Sequence, residues 1–250
     1  MRRLIGVLAV LTVLTSACNA DGGDGDGDDG TLTVLAAASL TETFTSLAET
    51  FEEDHPGVEV RLSFDSSATL AEQVIQGAPA DVLATADTDT MDGVAETGTV
   101  EAPEVFATNT LVMVVPAGAP AVGGLDDLGS PGTTFVTCVE TAPCGTLTAQ
   151  VLDASGVTAD PSSQEVDVKA VLGKVELGEA DAGFVYRTDA AAAGDRVDTV
   201  EIPGAGDFVN DYPIAVTTEA KNPTLAAAWV DLVLSDVGQQ VLTDAGFGQP

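Results

Sequence analysis

The chain has 250 residues, room for two small domains or one large one. Apolar residues make up 45% of it and aromatic ones only 4%, so its core has to rest on Ala, Val and Leu. With 40 acidic residues against 8 basic ones, the formal charge is −32. That charge makes nucleic acid and anionic lipid poor partners and leaves any anionic ligand dependent on local donors.

Arg2 and Arg3, an apolar run over residues 4–14, and small Ser16 and Ala17 read as an export signal occupying residues 1–17. The apolar run is too short to cross a bilayer. The segment resembles a bacterial lipoprotein signal, which implies that Cys18 is lipidated and anchors an extracytoplasmic protein to the cell membrane. Thr15 departs from the usual pattern, and an ordinary cleaved signal with an incidental cysteine is the alternative. Residues 18–30 read as an acidic flexible tether with almost nothing to bury. Asp24, Asp26 and Asp28 imitate the start of a calcium loop, but Asp29 stands where that loop needs glycine and Leu35 where it needs glutamate. With Cys18 carrying lipid, Cys138 and Cys144 remain as a pair that can form a disulfide or stay as thiols.

From Thr31 onward, strands and helices alternate. Residues 32–36 read as a buried strand. A helix follows, with Leu40, Phe44, Leu47, Ala48 and Phe51 on one face. Ser39 with Glu42 three residues on reads as its capping box, and His55-Pro56-Gly57 as its end. Val58, Val60, Leu62 and Phe64 alternate with polar residues, as a strand does. Ser66-Ser67 precedes a helix carrying Leu70, Val74 and Ile75 and stopped by Gly77. Residues 81–85 give a third strand, and the alternation implies a parallel sheet with covering helices. Residues 111–116 read as a long buried strand crossing into a second domain. That domain has a strand near 135–137, a helix from Gly145, a helix near 168–177 and a strand over 183–186. Residues 212–217 form a return strand. Amphipathic helices over 225–234 and 237–245 end the chain, with Trp229 in the core. No internal repeat and no transmembrane span is visible.

Catalytic machinery is thin. The single histidine, His55, sits in a turn at a helix end, so no Ser-His-Asp set can be built away from it. No Cys/His spacing suits zinc, and no glycine-rich phosphate loop follows a strand. The informative feature is polar residues where strands give way to helices: Ser39 and Ser67. Helix N-termini expose unpaired N–H groups and carry roughly half a positive charge, so several aimed at one point make an anion site without lysine or arginine. For either serine alone, a plain helix cap is the simpler reading.

The residues then group into a family pattern. Ala36-Ala37-Ala38-Ser39-Leu40-Thr41, Phe64-Asp65-Ser66-Ser67-Ala68-Thr69-Leu70 and Gly77-Ala78-Pro79-Ala80-Asp81-Val82 resemble successive signatures of periplasmic molybdate-binding proteins. Ala142-Pro143-Cys144-Gly145, Asp167-Val168-Lys169-Ala170, Gly183-Phe184-Val185-Tyr186 and Asp211-Tyr212-Pro213-Ile214-Ala215-Val216 continue the pattern in order, from about Thr31 to Phe247. The resemblance implies an α/β, type II periplasmic-binding-protein fold of two lobes, each a mixed sheet flanked by helices, with the ligand in the cleft. The expected bounds are 31–111 with 216–250 for one lobe, and 112–215 with the hinge strands for the other.

The resemblance also implies a monomeric binding protein without catalytic activity or cofactor, which hands molybdate, or tungstate, to the permease of an ABC importer. The carried-over ligand set is Ser39 and Ser67 by hydroxyl and N–H, Cys144 and Val168 by N–H, and Tyr186 by hydroxyl; the molybdenum meets no protein ligand directly. Cys144 stands where relatives often have a smaller residue. Ala68 replaces a serine found in some relatives, so the roles of Ser66 and Ser67 are open to exchange. A fully deprotonated dianion only accepts hydrogen bonds, and this set only donates them. Monohydrogen phosphate needs an acceptor, and the set contains no carboxylate. Sulfate also only accepts, so a protein for another tetrahedral oxyanion is the main alternative. A hydrolase using Ser39 or Ser67 and a purely structural surface lipoprotein are the others.

Overall fold

The structure is a computed structural model describing residues 30–118 and 120–250; the export segment, Cys18 and all of the tether but Gly30 lie outside the described residues. Strand β1 (Gly30–Ala37) is buried continuously from Val34, as an unbroken apolar run requires when both faces of a sheet are covered. It leads through a 3₁₀ turn, Ala38–Leu40, into α1 (Thr41–Asp54), which buries Phe44, Leu47, Ala48 and Phe51. The expected Ser39–Glu42 capping box does not form. Helix α1 begins at Thr41 with Leu40 as its N-cap, and the Ser39 hydroxyl lies 3.0 Å from that of Tyr212 instead.

Gly57, at φ 98°, turns the chain into β2 (Val58–Asp65), a half-buried strand parallel to β1. Helix α2 (Ser67–Ile75) buries Leu70, Ala71 and Val74. Ile75, expected on the same face, is 42% exposed, because the residue next to Val74 points away from the buried stripe. Then come β3 (Val82–Ala84), α3 (Thr88–Glu96) and β4 (Val100–Pro116). Helix α3 has no counterpart among the expected elements; it buries only Met91 and Val94, too few to show a period. Strand β4 is much longer than the expected 111–116. Register shifts between Glu101 and Glu104 and between Val105 and Ala107, and Ala102 at φ 37°, erase the alternation of its first half.

The chain continues through β5 (Phe135–Cys138), α4 (Pro143–Ala154), β6 (Ser163–Glu165), α5 (Val168–Glu176), β7 (Ala182–Tyr186), α6 (Arg187–Ala193), β8 (Val197–Val200), β9 (Val209–Thr217), α7 (Pro223–Leu234) and α8 (Asp236–Asp244). Helix α4 starts two residues before the expected Gly145, because proline fits the first helical position, where no N–H is needed. The short β6, α6 and β8 were not expected from the sequence.

The strands lie in the order β2-β1-β3-β9-β4-β7-β5-β6, with β8 also on β4. Strand β1 is parallel to β2 and β3, and β5 to β6 and β7; β9 is antiparallel to β3 and β4, and β4 to β7 and β8. Strand β4 belongs to both halves. It pairs with β9 over Val100–Thr110, then with β7 from Leu111 and with β8 from Met113. Each half is thus a mixed sheet, and the halves meet where β4 changes partners.

In the first half, α2 and α3 cover one face through Leu70, Val74, Met91 and Val94. On the other, Trp229 of α7 is fully buried, edge-on to Phe44 at 5.5 Å and to Phe51 at 5.6 Å. The buried Asp81 carboxylate ties this half together, accepting the N–H groups of Thr33 on β1 and Lys221 before α7, each at 2.7 Å. In the second half, α5 lies so close to β7 that a Cβ on Gly183 would meet Val175 at 2.8 Å and Val171 at 2.9 Å, which only glycine avoids.

Candidate functional site

Where β1, β2, β5, β6 and β7 end, the chain turns into a helix or a 3₁₀ turn, and these junctions face one another. All five residues expected from the sequence, Ser39, Ser67, Cys144, Val168 and Tyr186, line one small cavity with about 10 Å³ of space for a water-sized sphere, each 4% exposed or less. By that measure a single water needs roughly 10–15 Å³, so the cavity is far too small for a sugar or peptide. The wall also includes Ser66, Ala86, Asp65 and Asp167.

The hydroxyls are held from behind. The Ala86 N–H donates to Ser67 Oγ at 2.9 Å, and Asn210 Nδ2 donates to Tyr186 Oη at 2.8 Å. An oxygen that already accepts one bond keeps its own proton for another acceptor, so both remain able to donate. Ser39 Oγ shares a bond of 3.0 Å with Tyr212 Oη. Ser66 Oγ, 6% exposed, has no partner among the described residues and is a further donor at the wall. The sequence reading had left Ser66 and Ser67 interchangeable; in the fold Ser67 is braced and Ser66 is not. Burial, with Tyr212 and the Asp87 and Asp189 carboxylates, raises the Tyr186 hydroxyl well above the usual tyrosine range, against the opposing bond from Asn210. Tyr186 is therefore a neutral donor.

The backbone contributes through helix starts. Helices α2 and α4 have no side-chain cap, so their first N–H groups remain available. In α4, Pro143 has no N–H and Gly145 N–H returns to Ala142 O at 2.9 Å, so Cys144 N–H is the first that the helix can offer. Cys144 is joined to Cys138, at the end of β5, by a disulfide with a Cα–Cα separation of 5.8 Å. Because the anion would meet the Cys144 backbone and not its sulfur, Cys144→Ala is expected to leave affinity nearly intact. It should lower stability by roughly 2 kcal/mol through the lost short loop closure. Calorimetric titration beside denaturant melts with and without reductant checks both halves of this expectation.

Two carboxylates that the expected ligand set did not contain, those of Asp65 and Asp167, stand in the wall. Both are turned onto backbone: Asp65 accepts Ser66 N–H at 2.7 Å, and Asp167 caps α5 by accepting Ala170 N–H at 2.9 Å. A third carboxylate, Asp189, is fully buried behind Tyr186 and accepts its N–H at 3.3 Å. Burial pushes the Asp189 carboxyl up to about 6, against the pull of Lys169 at 3.0 Å. A carboxyl whose folded pKa is raised takes up its proton more readily folded than unfolded. Its contribution to stability is therefore fully present below the unfolded pKa and lost as pH rises through about 6. Melting curves of the wild type and Asp189→Asn from pH 4 to 7 should show the wild type losing stability relative to the variant over that window. A constant difference would remove Asp189 from the titration.

Two half-sheets sharing β4, with a small buried donor cavity at their junction, define a two-lobed solute-binding protein of type II. Residues 32–248 match the sequence pattern of bacterial extracellular solute-binding proteins, and the chain belongs to that family. It is a binding protein, not an enzyme. It is 43% identical over 221 residues to the molybdate-binding protein of Mycobacterium tuberculosis, covering 88% of this chain and 85% of that one. To the molybdate-binding protein of Escherichia coli it is 31% identical, covering 86% and 88%. The solved periplasmic molybdate-binding protein of Azotobacter vinelandii has the same fold, with a TM-score of 0.77 at 21% identity over 88% of this chain and 99% of that one.

Proposed function

We propose that this protein captures molybdate outside the cytoplasm and delivers it to the permease of an ABC importer, with Ser39, Ser67, Cys144, Val168 and Tyr186 as the ligand set and Ser66 as an added donor. The convergence of those five residues on one cavity whose hydroxyls are braced from behind carries the reading. The relatives named for molybdate binding support the choice of anion. A water-excluded pocket of neutral donors strengthens each bond to a dianion, which is how an anion can be held within so acidic a chain. Tungstate has the same charge and shape and shares the site. Residues 31–111 with 216–250 form one lobe and 112–215 with the crossing strands the other; the change of β4 partners at Leu111 supports the first of these bounds. The protein acts as a monomer without a cofactor, tethered to the membrane through lipidated Cys18.

Titration calorimetry with molybdate, tungstate, sulfate and phosphate tests the anion. Tight molybdate and tungstate binding with weak sulfate and phosphate binding is expected. Micromolar sulfate binding with no molybdate heat would overturn the choice. Mass spectrometry of the N-terminal peptide from the native host tests the lipid; an unmodified Cys18 would remove it.

A further inference from the structure

Three of the segments that line the cavity are joined again behind it by charge. Glu42 lies three residues after Ser39, Lys169 directly follows Val168, and Asp189 lies three residues after Tyr186. Lys169 Nζ is 2.8 Å from both carboxylate oxygens of Glu42 and 3.0 Å from Asp189 Oδ1. The side chain of Asp189 is 0% exposed, that of Lys169 25% and that of Glu42 53%, so the set runs from the interior to the surface. Helix α1, which bears Glu42, follows β1 of the first half-sheet. Helices α5 and α6, which bear Lys169 and Asp189, flank β7 of the second. Burial works against the charge on Lys169, but the two carboxylates outweigh it and hold its pKa above the usual lysine range, so it stays a cation.

We propose that Glu42, Lys169 and Asp189 form an interlobe clasp, in which Lys169 is a positioning residue that holds the Ser39, Val168 and Tyr186 segments at the spacing that grips the anion. The Lys169–Asp189 contact joins two helices of one lobe and fixes the ammonium. The Lys169–Glu42 contact crosses between lobes and is the part that must break when they separate. Its partly exposed position lets it do so without stranding a buried charge, since Glu42 returns to water and Lys169 keeps Asp189 as its partner. The proposal rests on the anion-binding reading of the cavity.

The decisive variant is Glu42→Gln, a surface change that leaves the fold intact. A clasp and a simple attraction of the anion by Lys169 predict opposite signs. Removing a negative charge near the cavity strengthens anion binding if attraction is all that matters; it weakens binding if Glu42 holds the lobes together. Kd is measured by titration calorimetry for molybdate, tungstate and sulfate at low and high salt. Glu42→Gln should raise Kd about threefold, as for a partly exposed pair. Lys169→Met should raise it on the order of tenfold, and Lys169→Arg should stay near the wild type. The wild-type Kd should also rise with salt more steeply than that of Lys169→Met, because ions screen the clasp. Tighter binding by Glu42→Gln, or unchanged affinity in both charge-removing variants, overturns the clasp. Wild type that binds sulfate but not molybdate overturns the choice of anion while the same variants still test the clasp on sulfate. Wild type that binds none of the three overturns both.

Discussion

Replacing Gly145 by alanine is expected to lower stability by about 3 kcal/mol or more and to weaken anion binding in the same protein. A Cβ at this position would fall 1.9 Å from Val139 O, 2.5 Å from Val139 C and 2.9 Å from Cys138 O. These are backbone atoms, so no side chain can swing aside. Cys138 is also tied to Cys144 by the disulfide, so the strand end and the helix start cannot drift apart freely. The first turn of α4 has to shift, and it carries the Cys144 N–H at the cavity wall. Losing one charge-assisted hydrogen bond raises Kd on the order of tenfold or more. Denaturant melts and calorimetric titration measure the two effects. A Gly145→Ala protein with wild-type stability and affinity would show that the close approach of α4 to β5 does not set the site.

Ser67→Ala and Tyr186→Phe are each expected to weaken binding by about 1–3 kcal/mol, the cost of a buried group left unpaired. Each deletion has two consequences. It removes a donor to the anion, and it strands the group that braced it: Ala86 N–H in the first case, Asn210 Nδ2 in the second. In the proposed site the two hydroxyls would touch one small ligand, so their losses should not simply add, and the double variant should show a coupling energy. Unchanged affinity in both single variants would refute the assignment of the cavity.

The architecture was readable wherever burial imposed a period. Phe44, Leu47, Ala48 and Phe51 announce α1, and Val58 through Phe64 announce β2, because each turns one face inward and the other outward. Elements with too little buried surface left no such trace. Helix α3 hides only Met91 and Val94, and β6 hides nothing fully. The first half of β4 carries bulges that scramble its alternation. At the site, the lining residues were legible through short motifs at strand ends, but their supports were not. Tyr212 and Asn210 brace Ser39 and Tyr186 from a distant segment, and nothing local ties Ser39 to Tyr212 across 173 residues. Composition held one clue: the chain has only two tyrosines, and in the fold their rings meet edge-on with centroids 5.9 Å apart. The Ser39–Glu42 spacing misled for a physical reason, since both side chains are drawn to tertiary partners stronger than a local cap.

The chain has a single tryptophan, Trp229, whose ring abuts Phe44 and Phe51 of α1 and whose indole N–H meets no acceptor among the described residues. Its emission should be blue-shifted, as from a fluorophore in an apolar shell. No second indole contributes background. Helix α1 begins just beyond Ser39, carries Glu42 and meets this ring through Phe44 and Phe51, so one helix spans from the cavity to the indole. The protein thus has a native optical reporter packed against the helix that leads from the proposed anion site, so ligand arrival is expected to be visible without attaching a dye.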